Sequence, residues 1–229
     1  MSTLVATVSI GPRSRFARRS IPRLEHWCHA HGLEFVVVRE PLIQPGLPPH
    51  FNKLAVPACF PGHKRYVIVD DDLLIARHAP APPEVPSGFV GLVADSEQRH
   101  TSAPGVDFTG NTGFIVADAA ASPLFADALA RGPTADILGT NDQSALNRSA
   151  WEQKRVHRLD PRWNHLPVID HIVTRDAWRR WTGSRLHRLA FYLSLLPGAP
   201  TAARRTLRSA YGVHLVRAPH PALYSLLVA

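Results

Sequence analysis

Apolar residues fall in short continuous runs separated by polar or turn-forming stretches, a rhythm that predicts alternating strands and helices. Residues 4–10 read as a first strand, stopped by the loop signal Gly11-Pro12. Leu24, Trp27, Cys28 and His31 then recur at the i, i+3, i+4, i+7 spacing of one buried helix face, with Phe16 ahead of them. Pro22 predicts either a kink in that helix or the first turn of a helix capped by Ser20. Gly32 ends it, and residues 34–39 form a second strand around Phe35-Val36-Val37-Val38. This is a β-α-β opening, whose crossover should be right-handed.

The next run is the most telling one. Tyr66-Val67-Ile68-Val69 passes directly into Asp70-Asp71-Asp72 and then returns to Leu73-Leu74-Ile75. A continuous apolar run of this length reads as a strand buried on both faces, as in a mostly parallel sheet. Ligands of open α/β sheets bind at the carboxyl ends of such strands, where these acids stand. Side chains alternate along a strand, so Asp70 and Asp72 face one side and Asp71 the other. Two converging carboxylates repel unless they share a cation or a proton. Carboxylate oxygens suit Mg²⁺ or Mn²⁺, ions commonly held by one or two acids plus substrate phosphates. The pattern predicts a divalent-metal site for a phosphorylated ligand.

Further along, residues 41–50 and 79–87 are Pro-rich connectors, and residues 51–59 form a short helix between them. Residues 89–94 and 114–117 read as strands, with 95–112 a long polar loop facing substrate. Residues 123–131 and 142–148 read as helices, the second with Asn141 at its N-cap, and short strands follow at 156–159 and 168–172. Beyond Trp181 the character changes. Residues 184–196 form a helix with Leu186, Leu189, Ala190, Leu193 and Leu196 on one side; Gly198-Ala199-Pro200 breaks it. Thr201 caps a second helix bearing Arg204, Arg205 and Arg208. The pair is either a last layer packed on the core or an interfacial membrane element. The expected organisation is one α/β domain over residues 1–183 and a basic helical extension over 184–229.

Composition narrows the classes. The 229 residues suit one α/β domain with a small appendage, and 21 prolines fit its many loops. No basic-then-apolar leader is visible at the N-terminus and no apolar span reaches membrane-crossing length, so a cytoplasmic protein is expected. Cys28 and Cys59 lack metal-ligand spacing and read as a reduced, buried pair. The net charge of +8 is uneven: residues 1–147 carry 12 Lys/Arg against 14 Asp/Glu, and residues 148–229 carry 14 against 4. A basic end implies an anionic partner there, a phosphorylated substrate, an acidic membrane surface or nucleic acid, or simply an Arg-rich solvated face. With no aromatic-basic repeat or recognition helix, nucleic acid ranks last.

Two families share a strand that ends in D-x-D. One is the haloacid-dehalogenase phosphatases, in which Asp70 would attack phosphorus; Leu73 and Leu74 stand where that family carries a small residue and then Thr or Val. The other is the nucleotide-sugar glycosyltransferases of GT-A fold, which the chain resembles in an ordered series of segments. Asp70-Asp71-Asp72 resembles their metal motif, and Phe51-Asn52-Lys53-Leu54 resembles the "K-L" helix start ahead of it. Phe108-Thr109-Gly110-Asn111-Thr112-Gly113-Phe114 resembles the "F-N-x-G" strand start near the donor sugar, and Asn141-Asp142-Gln143 through Asn147 resembles the "D-Q-x-x-L-N" helix. Trp163-Asn164 resembles a following "W-N", and His171 through Trp178 resembles the segment carrying a metal-binding His. The order is most like glycosyltransferase family 8 and its relatives, and covers about residues 4–180.

This resemblance implies a Rossmann-like, mostly parallel mixed sheet flanked by helices, and a metal-dependent, retaining transfer from a nucleotide-diphosphate sugar, UDP-sugars favoured, to a hydroxyl acceptor. It places Asp70, Asp72 and His171 on the metal, Mn²⁺ or Mg²⁺, with His157, His165 and His214 as alternatives to His171. Thr7, Ser9, Lys53, Asp70, Asp71, Asn111 and Thr112 would contact the donor, and Asp142 and Gln143 would serve catalysis beside its sugar. Arg15 and Arg175 are further candidates for the diphosphate, and Trp151, Trp163, Trp178 and Trp181 for stacking on an acceptor. The acceptor would be a saccharide, a lipid-linked or a small hydroxyl compound, presented to the basic end if that end meets an anionic membrane.

Overall fold

The computed structural model describes residues 2–11, 14–95, 109–133, 141–167 and 202–214. Strand β1 (Thr3–Val8) leads through helix α1 (Ser14–Ala30) to β2 (Glu34–Val38), and β1 pairs in parallel with β2. A 3-10 turn at Pro49–Ala55 runs on into the short α2 (Val56–Cys59) and then β3 (Arg65–Asp70), parallel to β1 on its other side. After the acids come β4 (Leu73–Ile75), β5 (Val90–Ala94) and β6 (Gly110–Asp118). Helices α3 (Ser122–Arg131) and α4 (Asp142–Glu152), strand β7 (Val156–Arg158) and a 3-10 turn at Pro161–Asn164 follow. Helix α5 (Ala202–Ser209) and strand β8 (Gly212–His214) complete the described residues.

The main sheet has six strands in the order β2-β1-β3-β6-β5-β7, antiparallel only where β6 meets β3 and β5. Period-two alternation sends each strand's residues to two separate cores. One face carries Leu4, Tyr66, Ile68, Leu92 and Ile115, and packs on Phe51, Leu54, Leu124, Phe125 and Leu146 of the 3-10 turn, α3 and α4. The other carries Val5, Val67, Val69, Phe114 and Val116, under Leu24, Trp27 and Cys28 of α1 and under Trp163. Both faces are covered, which is why the strands read as uninterrupted apolar runs.

Several expectations shift in detail. Helix α1 runs through Pro22, and Ser20 lies inside it as a buried residue. The Ser20 hydroxyl donates to the Asp71 carbonyl, so α1 is fastened to the acid-bearing turn. His31 falls just past the helix end and is exposed, while Gly32, at φ +62, makes the turn that releases the chain into β2. Cys28 is buried as expected, but Cys59 is exposed at the end of the very short α2, so the two are not a buried pair. Strand β6 is longer than its apolar run because Gly110 to Thr112, polar yet buried, extend the ladder. The strand expected at 168–172 and the helix expected at 184–196 lie outside the described residues, as does the boundary placed at 183. No described helix is long and apolar enough to cross a membrane.

Asp118 ends β6 and opens α3's approach. Its carboxylate accepts from the Ser87 hydroxyl at 2.5 Å, the Gly88 N–H at 2.9 Å and the Ala121 N–H at 3.2 Å. Burial alone would raise its pKa; the bonds from Ser87, Gly88, Ala121 and Ala120 outweigh that and hold it below the usual carboxylate value. Asp118→Ala should cost about 1–2 kcal/mol in urea unfolding, as loss of a capping acid does. Because the folded pKa is the lower one, this stabilisation is complete above the ordinary carboxylate pKa. It fades as pH falls through the folded value, so the wild-type advantage should close in acid.

Candidate functional site

Strand β3 delivers its last residue, Asp70, on the same face as Tyr66 and Ile68, toward the 3-10 turn that carries Lys53. Lys53 is buried, and its ammonium donates to Asp70 Oδ1 at 2.5 Å and meets Asp142 Oδ2 at 3.1 Å. It also donates to the Thr112 carbonyl at 3.2 Å. Desolvation would lower the pKa of this buried ammonium, but the Asp142 and Asp70 carboxylates more than reverse that and raise it. Lys53 is therefore a fixed positive charge joining the end of β3 to the start of α4. Asn141 caps α4 as expected, accepting from the Ser144 N–H at 2.9 Å, and so fixes the turn that presents Asp142 and Gln143.

On the other side of Asp70, the chain turns through Asp71 and Asp72 into β4, and β4 pairs antiparallel with β8 so that Leu73 lies opposite His214. The His214 Nε2 stands 3.1 Å from Asp72 Oδ1 and 3.7 Å from Asp70 Oδ2. Strand β8 is held from both sides: His165 N–H donates to the Gly212 carbonyl at 2.9 Å and His214 N–H donates to the His165 carbonyl at 2.8 Å. Two glycines make this approach possible. A Cβ on Gly113 would collide with the His214 ring, and one on Gly212 would collide with the Trp163 carbonyl. Burial would lower the His214 pKa; the facing Asp72 and Asp70 outweigh burial and the Lys53 charge and raise it.

Asp70, Asp72 and His214 each offer one ligand atom, all within 4.8 Å of one another. Two carboxylates and an imidazole are a donor set for a divalent ion, and the imidazole favours Mn²⁺ over Mg²⁺. The residues present fit such an ion. His171 lies outside the described residues; the histidine that meets the two acids here is His214, one of its alternatives. His165 is buried beside β8 and His157 belongs to β7 at the sheet edge, and neither joins the cluster.

These groups line a cleft of about 590 Å³, together with Val8, Ile10, Asp71, Asp95, Asn111, Thr112, Asn141 and Gln143. Asp70, Asp71, Asn111, Thr112, Lys53, Asp142 and Gln143 are thus brought together as expected. Thr7 and Ser9 are not part of the lining: both are buried, and Val8 and Ile10 occupy the cleft wall instead. Strand alternation explains the one-residue correction, since Val8 shares the face of Leu4 and Ala6 while Thr7 shares that of Val5. Trp163 is no acceptor platform either. It is buried, stacked on Phe114 at 4.9 Å and edge-on to Trp27 at 6.1 Å. Trp151 is half-buried outside the cleft lining, and Trp178, Trp181 and Arg175 lie outside the described residues, as does the Arg15 side chain.

Sequence reasoning missed Asp95. It follows β5, where the β5/β6 register jumps: Leu92 faces Ile115 but Val93 faces Asn111. Bulges of this kind re-aim side chains, and here Asn111 and Thr112 turn toward the acids. Asp95 Oδ2 accepts from Gln143 Nε2 at 2.6 Å and from Asn111 Nδ2 at 3.3 Å. The signals available for it were its place directly after a buried strand and at the start of the 95–112 loop expected to face substrate.

No protein-family model matches the chain, and no curated protein does. Solved structures do match, and the fold they share with it is the GT-A type of glycosyltransferases. One is a glycosyltransferase involved in glycosylation of the major capsid of PBCV-1: 14% identity, TM-score 0.63, covering 99% of this chain and 98% of the other. Another is the glycosyltransferase GlyE of Streptococcus pneumoniae TIGR4, at 11% and 0.60, covering 100% of this chain but 60% of that one. A third is the galactosyltransferase LgtC, in complex with donor and acceptor sugar analogues, at 11% and 0.54, covering 98% and 95%.

Replacing Lys53 by Met tests the electrostatic core of the site. It leaves Asp70 and Asp142 facing each other without their shared cation, and removing one partner of a buried ion pair typically costs about 3–5 kcal/mol. Urea denaturation of Lys53→Met should show a loss of that order.

Proposed function

We propose that this chain is a metal-dependent glycosyltransferase that moves a sugar from a nucleotide-diphosphate donor, UDP-sugars favoured, to a hydroxyl acceptor with retention at the anomeric carbon, akin to glycosyltransferase family 8. The observation that carries the reading is the meeting of Asp70, Asp72 and His214 in a cleft also lined by Asp142 and Gln143, within a GT-A fold. Bound there, Mn²⁺ or Mg²⁺ supplies Lewis-acid charge to the leaving diphosphate. Asp72 and His214 hold the ion, and Asp70, pinned by Lys53, ligates it or holds the donor ribose.

The remaining groups orient the sugar. Asp142 is tied by the Thr112 hydroxyl at 2.8 Å and by Lys53, which leaves its carboxylate fixed for accepting from sugar hydroxyls. Gln143, anchored by Asp95 and by the Thr112 N–H at 3.2 Å, would be the group near the anomeric carbon. Pre-set dipoles of this kind stabilise developing charge without reorganising during the reaction. Lys53 already has Asp70, Asp142 and Thr112 as acceptors, so positioning those carboxylates suits it better than reaching for the diphosphate. The alternative, a phosphohydrolase with Asp70 as nucleophile, draws no support from the glycosyltransferase structures that share this fold.

Incubation with a panel of nucleotide sugars should release nucleoside diphosphate only when Mn²⁺ or Mg²⁺ is added. Asp72→Ala should cut that rate by about 10²-fold or more, as loss of a group that stabilises transition-state charge does. Turnover of a phosphate monoester without nucleotide-sugar binding would replace the reading with the hydrolase one.

We further place the enzyme in the cytoplasm, with its basic end at an anionic membrane where a lipid-linked acceptor is presented. Support comes from the charge split and from α5, on which Arg205 and Arg208 are exposed while Leu207 is buried. Removing residues 184–229 would also remove His214, so the fitting test keeps the full chain. Arg205→Glu with Arg208→Glu should lower flotation with anionic vesicles, each basic residue near such a surface being worth about 1 kcal/mol. Unchanged partitioning rejects the membrane contact.

A further inference from the structure

We infer that Asn164 and Asn111 form an amide relay that fixes the tautomer of His214, making Asn164 a positioning residue that leaves Nε2 of His214 as the ligand atom. The inference rests on the metal-site reading above, but not on glycosyl transfer.

The argument starts from a group whose polarity is certain. The backbone N–H of Gly113 can only donate, and it lies 2.8 Å from one side-chain terminus of Asn111. That terminus must be the Asn111 carbonyl oxygen, Oδ1. The same oxygen is 2.7 Å from the Asn164 side chain, which must therefore present its NH₂ group. With Nδ2 so committed, the atom Asn164 turns to His214 is Oδ1, an acceptor, 3.0 Å from His214 Nδ1. Nδ1 must carry a proton. In the neutral ring the lone pair then sits on Nε2, the nitrogen 3.1 Å from Asp72 and 3.7 Å from Asp70. One backbone N–H thus decides, through two amides, which imidazole nitrogen is free to bind an ion.

The other end of the relay agrees. With Oδ1 of Asn111 taken, its Nδ2 faces Asp95, a carboxylate that accepts. The Thr112 N–H fixes Gln143 Oε1 in the same way, so Gln143 Nε2 also donates to Asp95. Every bond has one donor and one acceptor. Asn164, Asn111 and His214 are only 1%, 8% and 4% exposed, which limits competition from water for these partners. A metal-bound histidine whose second nitrogen donates to a fixed acceptor is held in orientation, and losing such a partner typically weakens metal binding by about 10–100-fold.

Two measurements test this on the full chain. In the wild-type protein labelled with ¹⁵N-histidine and loaded with Zn²⁺, His214 should show a protonated Nδ1 and a metal-bound Nε2. Metal on Nδ1 would overturn the inference, as would failure of Zn²⁺ and Mn²⁺ to bind at all. The second measurement is Mn²⁺ affinity by titration calorimetry. Asn164→Ala should bind about 10–100-fold more weakly, whereas Asn164→Asp, which keeps an acceptor for Nδ1–H but sets its second oxygen against Asn111 Oδ1, should recover part of that loss. An Asn164→Ala protein that is folded by circular dichroism and binds Mn²⁺ within twofold of wild type would also overturn it. If Mn²⁺ and the tautomer behave as described but no nucleotide sugar is turned over, the relay stands and the glycosyltransferase reading falls.

Discussion

Asp70 is the point on which the molecule's polar architecture hangs, because it sits between two basic groups drawn from distant parts of the chain. Lys53 reaches it from the 3-10 turn before β3, and His214 faces it from β8. Each carboxylate here would be costly to bury alone, and each buried base would tend to lose its proton. Together they are tolerable. Lys53 offsets Asp70 and Asp142, His214 offsets Asp72, and an ion held by the acids and His214 would take over the role of the His214 proton. The sheet can therefore end in Asp70 and Asp72 without expelling them to solvent.

This arrangement ties the chain's far ends to its centre. Asp72 and His214 are 142 positions apart, yet they meet because a three-residue strand pairs with β4 on one edge and is held by the residues around His165 on the other. Residues beyond the boundary expected at 183 thus contribute a side chain to the cleft. Formation of the acid-His cluster depends on that distant segment being docked, so an ion that prefers the complete cluster stabilises the docked chain by the same free energy.

What could be read in advance follows from range. The β1-α1-β2 opening, the acid-bearing end of β3 and the capped start of α4 are written in local patterns a few residues long, and each stands where the spacing placed it. Family resemblance added Lys53, Asn111, Asp142 and Gln143, which the cleft brings together. Non-local facts were harder. Thr7 and Ser9 were displaced by Val8 and Ile10 because alternation gives the period of a strand but not which parity faces the ligand. Asp95 had no periodic signal of its own. His214 could be named only as an alternative, since three residues of strand carry too little pattern to announce their partner. Cys59 was misread as buried because the four-residue helix buries Val56 and Pro57 and leaves its last residue exposed.

The bulge in β6 is where backbone geometry becomes site chemistry. Consecutive N–H groups of a strand point to opposite neighbours, which for β6 are β3 and β5. The ladder to β3 ends at Phe114 and the pairing with β5 jumps between Leu92 and Val93, so the Thr112 and Gly113 N–H groups bind side-chain oxygens instead, of Gln143 and of Asn111. Since an N–H can only donate, these two bonds leave each amide one orientation, and the choice passes outward: to Asp95 on one arm, to Asn164 and His214 on the other. Side chains at a cleft ordinarily keep rotational freedom that binding must remove at a cost in entropy. Here the backbone has already removed it for Gln143 beside Asp142 and for His214 beside Asp72. The two halves of the site are held in register by adjacent peptide groups of a single strand.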